Sequence, residues 1–293
     1  MPYHQLVVEL PRGELARAEE VCAGLGAIAV SLADAGDEPL LEPGPGETPL
    51  WQAVRLQALF EQAANPEVAA ATLAALLGLP PAAIGIEHVE DRVWEREWLK
   101  DFRPMRFGDR LWVAPTGQRP PVPASAVLEL DPGLAFGTGT HATTALCLEW
   151  LDREIHGSEL VLDYGCGSGI LALAALKLGA SFAVACDIDP QALTATRENA
   201  GKNGLAEHVR VATSADAIGE SFDVVLANIL ARPLIDLAPR LSMLCREGGA
   251  IVLAGMLDHQ ADEVAAAYLP WFDIAPEAER EGWSLLAGRR RAE

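Results

Sequence analysis

Val161 to Pro190 reads VLDYGCGSGILALAALKLGASFAVACDIDP. An apolar stretch short enough for a strand leads into a glycine-rich turn, then an apolar stretch of helical length, a second short stretch and an acid. The first strand ends at Asp163, and Gly165, Gly167 and Gly169 let the backbone turn sharply where a ligand approaches it. A helix from about Ile170 then offers unpaired amide N–H groups and the positive end of its dipole to the turn. Asp187 ends the second strand about twenty residues on, where an acid in this plan hydrogen-bonds a ribose. A glycine repeat alone also fits an ordinary tight turn. Strand, turn, helix, strand and acid together predict a nucleoside pocket.

The spacing of the glycines narrows the nucleoside. The dinucleotide fingerprint is G-x-G-x-x-G, built around a pyrophosphate; here the turn is Gly165-Cys-Gly167-Ser-Gly169 with Asp163 before it. That acid repels a pyrophosphate and suits a cation, such as the ammonium of an amino acid. S-adenosylmethionine carries an amino-acid end and a sulfonium, so the segment resembles the methyltransferase version of the Rossmann plan. A nicotinamide oxidoreductase is the alternative.

Bulk properties bound the rest. The chain has 293 residues, enough for two domains, and half are apolar. No run suits a membrane span, and the first twenty or so residues lack the basic start and apolar core of a signal peptide. Cys22, Cys147, Cys166, Cys186 and Cys245 are scattered with no C-x-x-C pair, which predicts reduced, buried thiols in a cytoplasmic protein and no metal site. Cys166 lies in the glycine turn, but no activating base stands near it in sequence, so a packing role is the simpler reading. The formal charge is −20, with basic residues clustered only at Arg289 to Arg291. Direct nucleic-acid binding is therefore not expected. The acidity serves either solubility or the steering of a basic macromolecular partner. With no long apolar stripe or heptad, a monomer is expected.

Residues 1–91 stand outside the nucleoside fold. HQLVVEL alternates like a half-buried strand, and Leu15, Ala18, Val21 and Cys22 share one helical face. AIAVSLAD and VRLQALF are strands, the latter with Val54, Leu56 and Ala58 on one side. NPEVAAATLAALLGL is a helix with Asn65 as cap, Pro66 first and Gly78 near its end. IGIEHVED closes the set. Strand–helix–strand–strand–helix–strand is the ferredoxin-like order. Residues 92–104, including VWEREWLKDF, predict a short helical linker, either a packing element or a hinge. In residues 105–293, RFGDRLWVAP reads as one strand and TGQRPPVPAS as a surface connection. HVRVAT, FDVVLAN, GAIVLAG, FDIAPEA and WSLLAGR then supply further strands, with helices between several of them. That alternation predicts an α/β domain with a mainly parallel sheet, its last two strands pairing as an antiparallel edge.

Two more segments should meet the glycine turn at the carboxyl ends of the strands. The apolar run Val224, Val225, Leu226 ends at Asn228, an amide placed to orient a substrate nitrogen or the cofactor, or simply a turn residue closing the strand. The stretch LDPGLAFGTGTHATTALCLEWL is an irregular loop opening a helix, with Thr140 or Thr143 as the expected cap. His141 reads as a surface or capping residue, since no carboxylate partner for a catalytic base is evident.

LDPGLAFGTGTHATT, VLDYGCGSGILALAALKLGA, DIDPQAL and NILA together resemble the PrmA family, which methylates ribosomal protein eleven of the large subunit. WEREWLKDFRP is similar to that family's linker, and the small N-terminal domain to its substrate-recognition domain. The resemblance implies a class I, S-adenosylmethionine-dependent enzyme that trimethylates lysine side chains and the N-terminal α-amine of a basic ribosomal protein free of the ribosome. It assigns Thr144, Gly165, Asp187 and Asn228 to the cofactor and places Phe136, Gly137 and Thr138 along the pocket, beside Asp163 and Gly167 of the turn. Ala142 departs from the proline expected in the loop motif. Ile229 and Leu230 follow the asparagine where amide and adenine methyltransferases carry Pro-Pro-aromatic, which favours a flexible aliphatic amine. Asn228 is then the residue expected to align that amine. Transfer to another protein, a small-molecule amine or a nucleic acid is the alternative.

Overall fold

The computed structural model describes residues 3–36, 50–61, 65–89, 103–123, 125–130, 140–213 and 221–292. The chain divides into two compact units, 1–93 and 94–293.

In the first unit the elements are β1 (Tyr3–Pro11), α1 (Leu15–Gly24), β2 (Ala29–Asp34), β3 (Ala53–Glu61), α2 (Pro66–Leu77) and β4 (Gly85–Val89). The sheet order is β2-β3-β1-β4, every pair antiparallel. Strand alternation sends Leu6, Val8, Leu10, Val54, Leu56, Ala58 and Phe60 to one face, where they bury against Leu15, Ala18 and Cys22 of α1 and Leu73 of α2. Asn65 caps α2 by accepting from the Glu67 and Val68 amides, and Gly78 ends it at φ +71°.

The second unit opens with β5 (Met105–Phe107), β6 (Leu111–Ala114) and β7 (Ala126–Glu129), a small sheet of order β5-β6-β7. RFGDRLWVAP is thus a hairpin and not the single strand expected. Gly108 takes φ +65°, and the Asp152 carboxylate accepts from the amides of Asp109, Arg110 and Leu111 at 2.7–2.9 Å, pinning the turn from another element.

The remaining elements are α3 (Ala142–Glu154), β8 (Leu160–Tyr164), α4 (Ile170–Leu178), β9 (Phe182–Cys186), α5 (Pro190–Lys202), β10 (Val209–Ala212), β11 (Phe222–Asn228), α6 (Ala231–Leu244), β12 (Cys245–Leu257), α7 (Ala261–Tyr268), β13 (Phe272–Arg280) and β14 (Trp283–Arg290). They build a sheet of order β10-β9-β8-β11-β12-β14-β13. β10 to β12 run parallel, and β14 is antiparallel to both of its neighbours. One apolar layer carries α3 and α4, the other α6 and α7, so the sheet is covered on both faces as anticipated. From β8 the chain winds one way to β9 and β10; from β11 it winds the other way to β12. The reversal opens a crevice at the carboxyl ends of β8 and β11.

Candidate functional site

The glycine turn occupies that crevice. The amides of Gly165 and Cys166 both donate to the Cys186 carbonyl, at 2.8 and 3.0 Å, tying the turn to the end of β9. The Gly167 amide donates to Asp187 Oδ2 at 2.9 Å, while Asp187 Oδ1 accepts from the Asp189 amide at 3.0 Å. Each carboxylate oxygen keeps further acceptor capacity, so bracing the turn leaves Asp187 able to accept from sugar hydroxyls. Ile188 beside it is 92% exposed, a bare aliphatic surface next to the acid.

Two residues that the sequence reading passed over hold the turn from α5. Thr196 Oγ1 donates to the Gly167 carbonyl at 3.0 Å and Asn199 Nδ2 to the Ser168 carbonyl at 2.9 Å, both from buried side chains. The available signal was a polar pair spaced i, i+3 on the apolar face that α5 shares with Ala192, Leu193 and Ala200. Cys166 is a buried filler beside Thr196, its thiol pushed up by burial and then by the negative charge of Asp163, so it is no nucleophile.

Asp163 is enclosed, at 1% exposure. Its Oδ2 accepts from the Ala172 amide at 3.1 Å, capping the first turn of α4, where Gly169 has no side chain to do so. Its Oδ1 is buried with no hydrogen-bond partner among the described residues. Burial pushes its carboxyl from 3.8 up to about 7, the Ala172 hydrogen bond opposes this and the Asp187 charge adds to it. Between about pH 4 and 7 the folded protein therefore holds a proton that the unfolded chain has lost, and stability falls as pH rises across that window. Asp163→Asn is expected to gain several degrees in Tm over the parent by pH 8, at about 2–4 °C per kcal/mol, with no gain at pH 4. A Tm difference that stays constant across this range would contradict the assignment.

Asn228 ends β11, half-buried, and its Nδ2 donates to Thr144 Oγ1 at 3.3 Å. Two residues assigned to one site from segments 84 positions apart are thus brought together. The next residue is wedged. The Ile229 amide donates to the Ala254 carbonyl at 3.1 Å, and a Cβ at Gly255 (φ +91°) would overlap the Ile229 carbonyl. A Cβ at Gly165 (φ +80°) would overlap Ile229 Cγ2. Leu230 then stands 54% exposed.

Neither Thr140 nor Thr143 caps α3. His141 does, its Nδ1 accepting from the Thr143 amide at 3.3 Å with Thr143 Oγ1 at 2.8 Å. The ring is set by an edge-on contact with Trp283 of β14, centroids 4.8 Å apart. Nδ1 is thereby engaged at the start of α3. Phe136, Gly137 and Thr138, and the expected linker helix up to Phe102, fall outside the described residues.

The pocket fits S-adenosylmethionine. Glycines at positive φ keep side chains out of the turn, a buried acid whose Oδ1 has no partner among the described residues lies behind it, and Asp187 keeps acceptor capacity that hydroxyl groups could use. No helix among the described residues is long and apolar enough to cross a membrane.

A family model described as ribosomal protein L11 methyltransferase (PrmA) matches residues 2–291. The chain is 50% identical over 295 residues to the ribosomal protein L11 methyltransferase of Pseudomonas aeruginosa, covering 100% of both chains. It is 48% identical over 293 residues to the protein of that name in Alkalilimnicola ehrlichii, covering 99% of this chain and 100% of the relative. The crystal structure of a ribosomal protein L11 methylase from Lactobacillus delbrueckii subsp. bulgaricus superposes at a TM-score of 0.60 with 33% identity, over 65% of this chain and 100% of that one.

Proposed function

The chain belongs to the ribosomal protein L11 methyltransferase (PrmA) family, and on that premise we propose that it trimethylates amino groups of ribosomal protein L11, both lysine side chains and the N-terminal α-amine. S-adenosylmethionine is the methyl donor of this class I fold. When bound, it supplies a methyl carbon already activated by a positively charged sulfur. The turn from Gly165 to Gly169 would hold its amino-acid end, Asp187 its ribose hydroxyls and Ile188 the base. Phe136, Gly137 and Thr138 keep their place along the pocket from the family resemblance alone.

The observation that carries the reading is Asn228, a carboxamide held at the carboxyl end of β11, where the sheet reverses direction beside the turn. Its carbonyl oxygen accepts an N–H of the incoming amine and points the lone pair inward. The amine must be neutral to attack, yet a lysine titrates near 10.4 and an α-amine near 8. Desolvation among apolar side chains such as Leu230 and Ile229, next to a like charge, lowers both values. No dedicated general base is then required, and Ile229 and Leu230, which follow the asparagine in place of Pro-Pro-aromatic, suit an aliphatic chain more than a flat base.

We assign substrate recognition to the N-terminal unit over residues 1–91, ferredoxin-like in its element order, joined by a helical linker over 92–104. The enzyme works as a cytoplasmic monomer on L11 before ribosome assembly. A formal charge of −20 draws in a basic protein. Raising salt from low to physiological levels is therefore expected to lower kcat/KM on free L11 by about tenfold, with kcat unchanged. A salt-independent kcat/KM would remove the steering argument. The identity of the acceptor is tested by radiolabelled methyl transfer into a cell extract, resolved into protein, RNA and small molecules, then by mass mapping of purified L11. Label in RNA or small molecules, or methyls confined to side-chain amides, would overturn the assignment.

A further inference from the structure

We infer that Thr196 and Asn199 of α5 are positioning residues for the methyl donor, setting two peptide planes of the glycine turn before the donor arrives. The inference rests on the reading above of Gly165 to Gly169 as the seat of the donor's amino-acid end. Glycine accepts either sign of φ, so Gly167 and Gly169, at +53° and +79°, do not by themselves fix how the peptides between them face. Side chains from α5 do. Thr196 is completely buried, with Oγ1 3.0 Å from the Gly167 carbonyl. A carbonyl only accepts, so the hydroxyl spends its one proton there. Thr194, exposed on the same helix, shows the ordinary alternative: its Oγ1 donates four residues back, to the Pro190 carbonyl at 3.0 Å. Thr72 of α2 does the same with Val68 at 2.7 Å. Thr196 gives up that local bond for the turn. Asn199, one helical turn on, gives Nδ2 to the Ser168 carbonyl at 2.9 Å.

Both bonds draw a carbonyl toward a buried side chain, and the planar trans peptide turns the following N–H the opposite way. Gly167 is thereby held at both ends, its N–H on Asp187 Oδ2 and its C=O on Thr196. Without the hydroxyl, the Gly167–Ser168 peptide is free to rotate, swinging the negative end of its carbonyl toward the donor's carboxylate and loosening the partner of Asp187. Binding must then re-form the turn, so affinity falls with the fraction of molecules already in the receiving shape, while the rate at full occupancy is untouched.

Thr196→Val keeps the methyl group that lies against Gly169 and removes the hydroxyl. Its S-adenosylmethionine dissociation constant, measured by calorimetry, is expected to rise about 3- to 10-fold, the worth of one neutral hydrogen bond, with kcat at saturating donor unchanged. Thr196→Ser keeps the hydroxyl and loses that methyl, so its Tm should fall while its dissociation constant stays near the parent's. Thr194→Val should alter neither constant. An unchanged dissociation constant in Thr196→Val would overturn the inference. So would affinities that follow Tm across the two Thr196 variants, or an equal loss in Thr194→Val. A crystal of the parent enzyme soaked with S-adenosylmethionine, showing it bound away from Gly165 to Gly169, would instead defeat the reading beneath.

Discussion

Asn228→Ala is expected to slow the first methyl transfer about a hundredfold, the cost of a misplaced nucleophile, while S-adenosylmethionine still binds. The number of N–H bonds on the acceptor makes this more specific. A neutral primary amine has two N–H bonds, its monomethyl product one and its dimethyl product none. A carbonyl oxygen on Asn228 can therefore hold the acceptor in the first two steps and has nothing to hold in the third. The variant should be severely slowed on unmodified and monomethylated L11, and close to the parent enzyme on dimethylated L11. Single-turnover rates on the three substrates check this. Equal losses at all three steps would mean that Asn228 acts on the donor or on the pocket shape.

Gly165→Ala is the second large effect. At φ +80° an alanine pays the left-handed strain of about 1–2 kcal/mol. Its Cβ also overlaps Ile229 Cγ2, and Ile229 cannot retreat because its backbone already lies against Gly255 and donates to Ala254. The turn has to move instead, carrying with it the Gly165 amide that holds it to Cys186. Donor affinity is expected to fall by two orders of magnitude or more. Gly204→Ala is the matched control: φ is +69° there and a Cβ would meet nothing within 4 Å, so only the strain applies. Removing Cγ2 with Ile229→Ala should return part of the lost affinity to Gly165→Ala. Equal stability losses in Gly165→Ala and Gly204→Ala, with donor binding intact, would show that the contact with Ile229 is immaterial.

The parts of this fold that could be read in advance are those set by neighbours in sequence. Gly165, Gly167 and Gly169 declare a turn because few other residues tolerate positive φ. Asn65, Pro66 and Gly78 bracket α2 by local capping chemistry, and the tight link between β13 and β14 leaves room only for antiparallel pairing. What escaped is set across long distances. The bend at Gly108 depends on Asp152 more than forty positions on. β7 is a short strand that pairs with β6 among the described residues. The cap on α3 fell to His141 because Trp283 orients its ring. Asp163 is buried, and its carboxylate also serves the bare start of α4. Residue type announced an acid at that place; only packing decided which way it serves.

The position of β14 has a consequence for how the chain reaches its native state. β12 and β13 are next-but-one neighbours held apart by a strand that comes later in sequence than either. As the polypeptide emerges during synthesis, β13 has no partner in the sheet until β14 is translated and slides in between. The same late strand brings Trp283 to the ring that opens α3, some 140 positions upstream. The amine pocket thus matures last, when translation of the domain is nearly over. Such an order predicts a slow, late folding phase that a substitution at Trp283 would lengthen, while the parallel half of the sheet assembles at its usual pace.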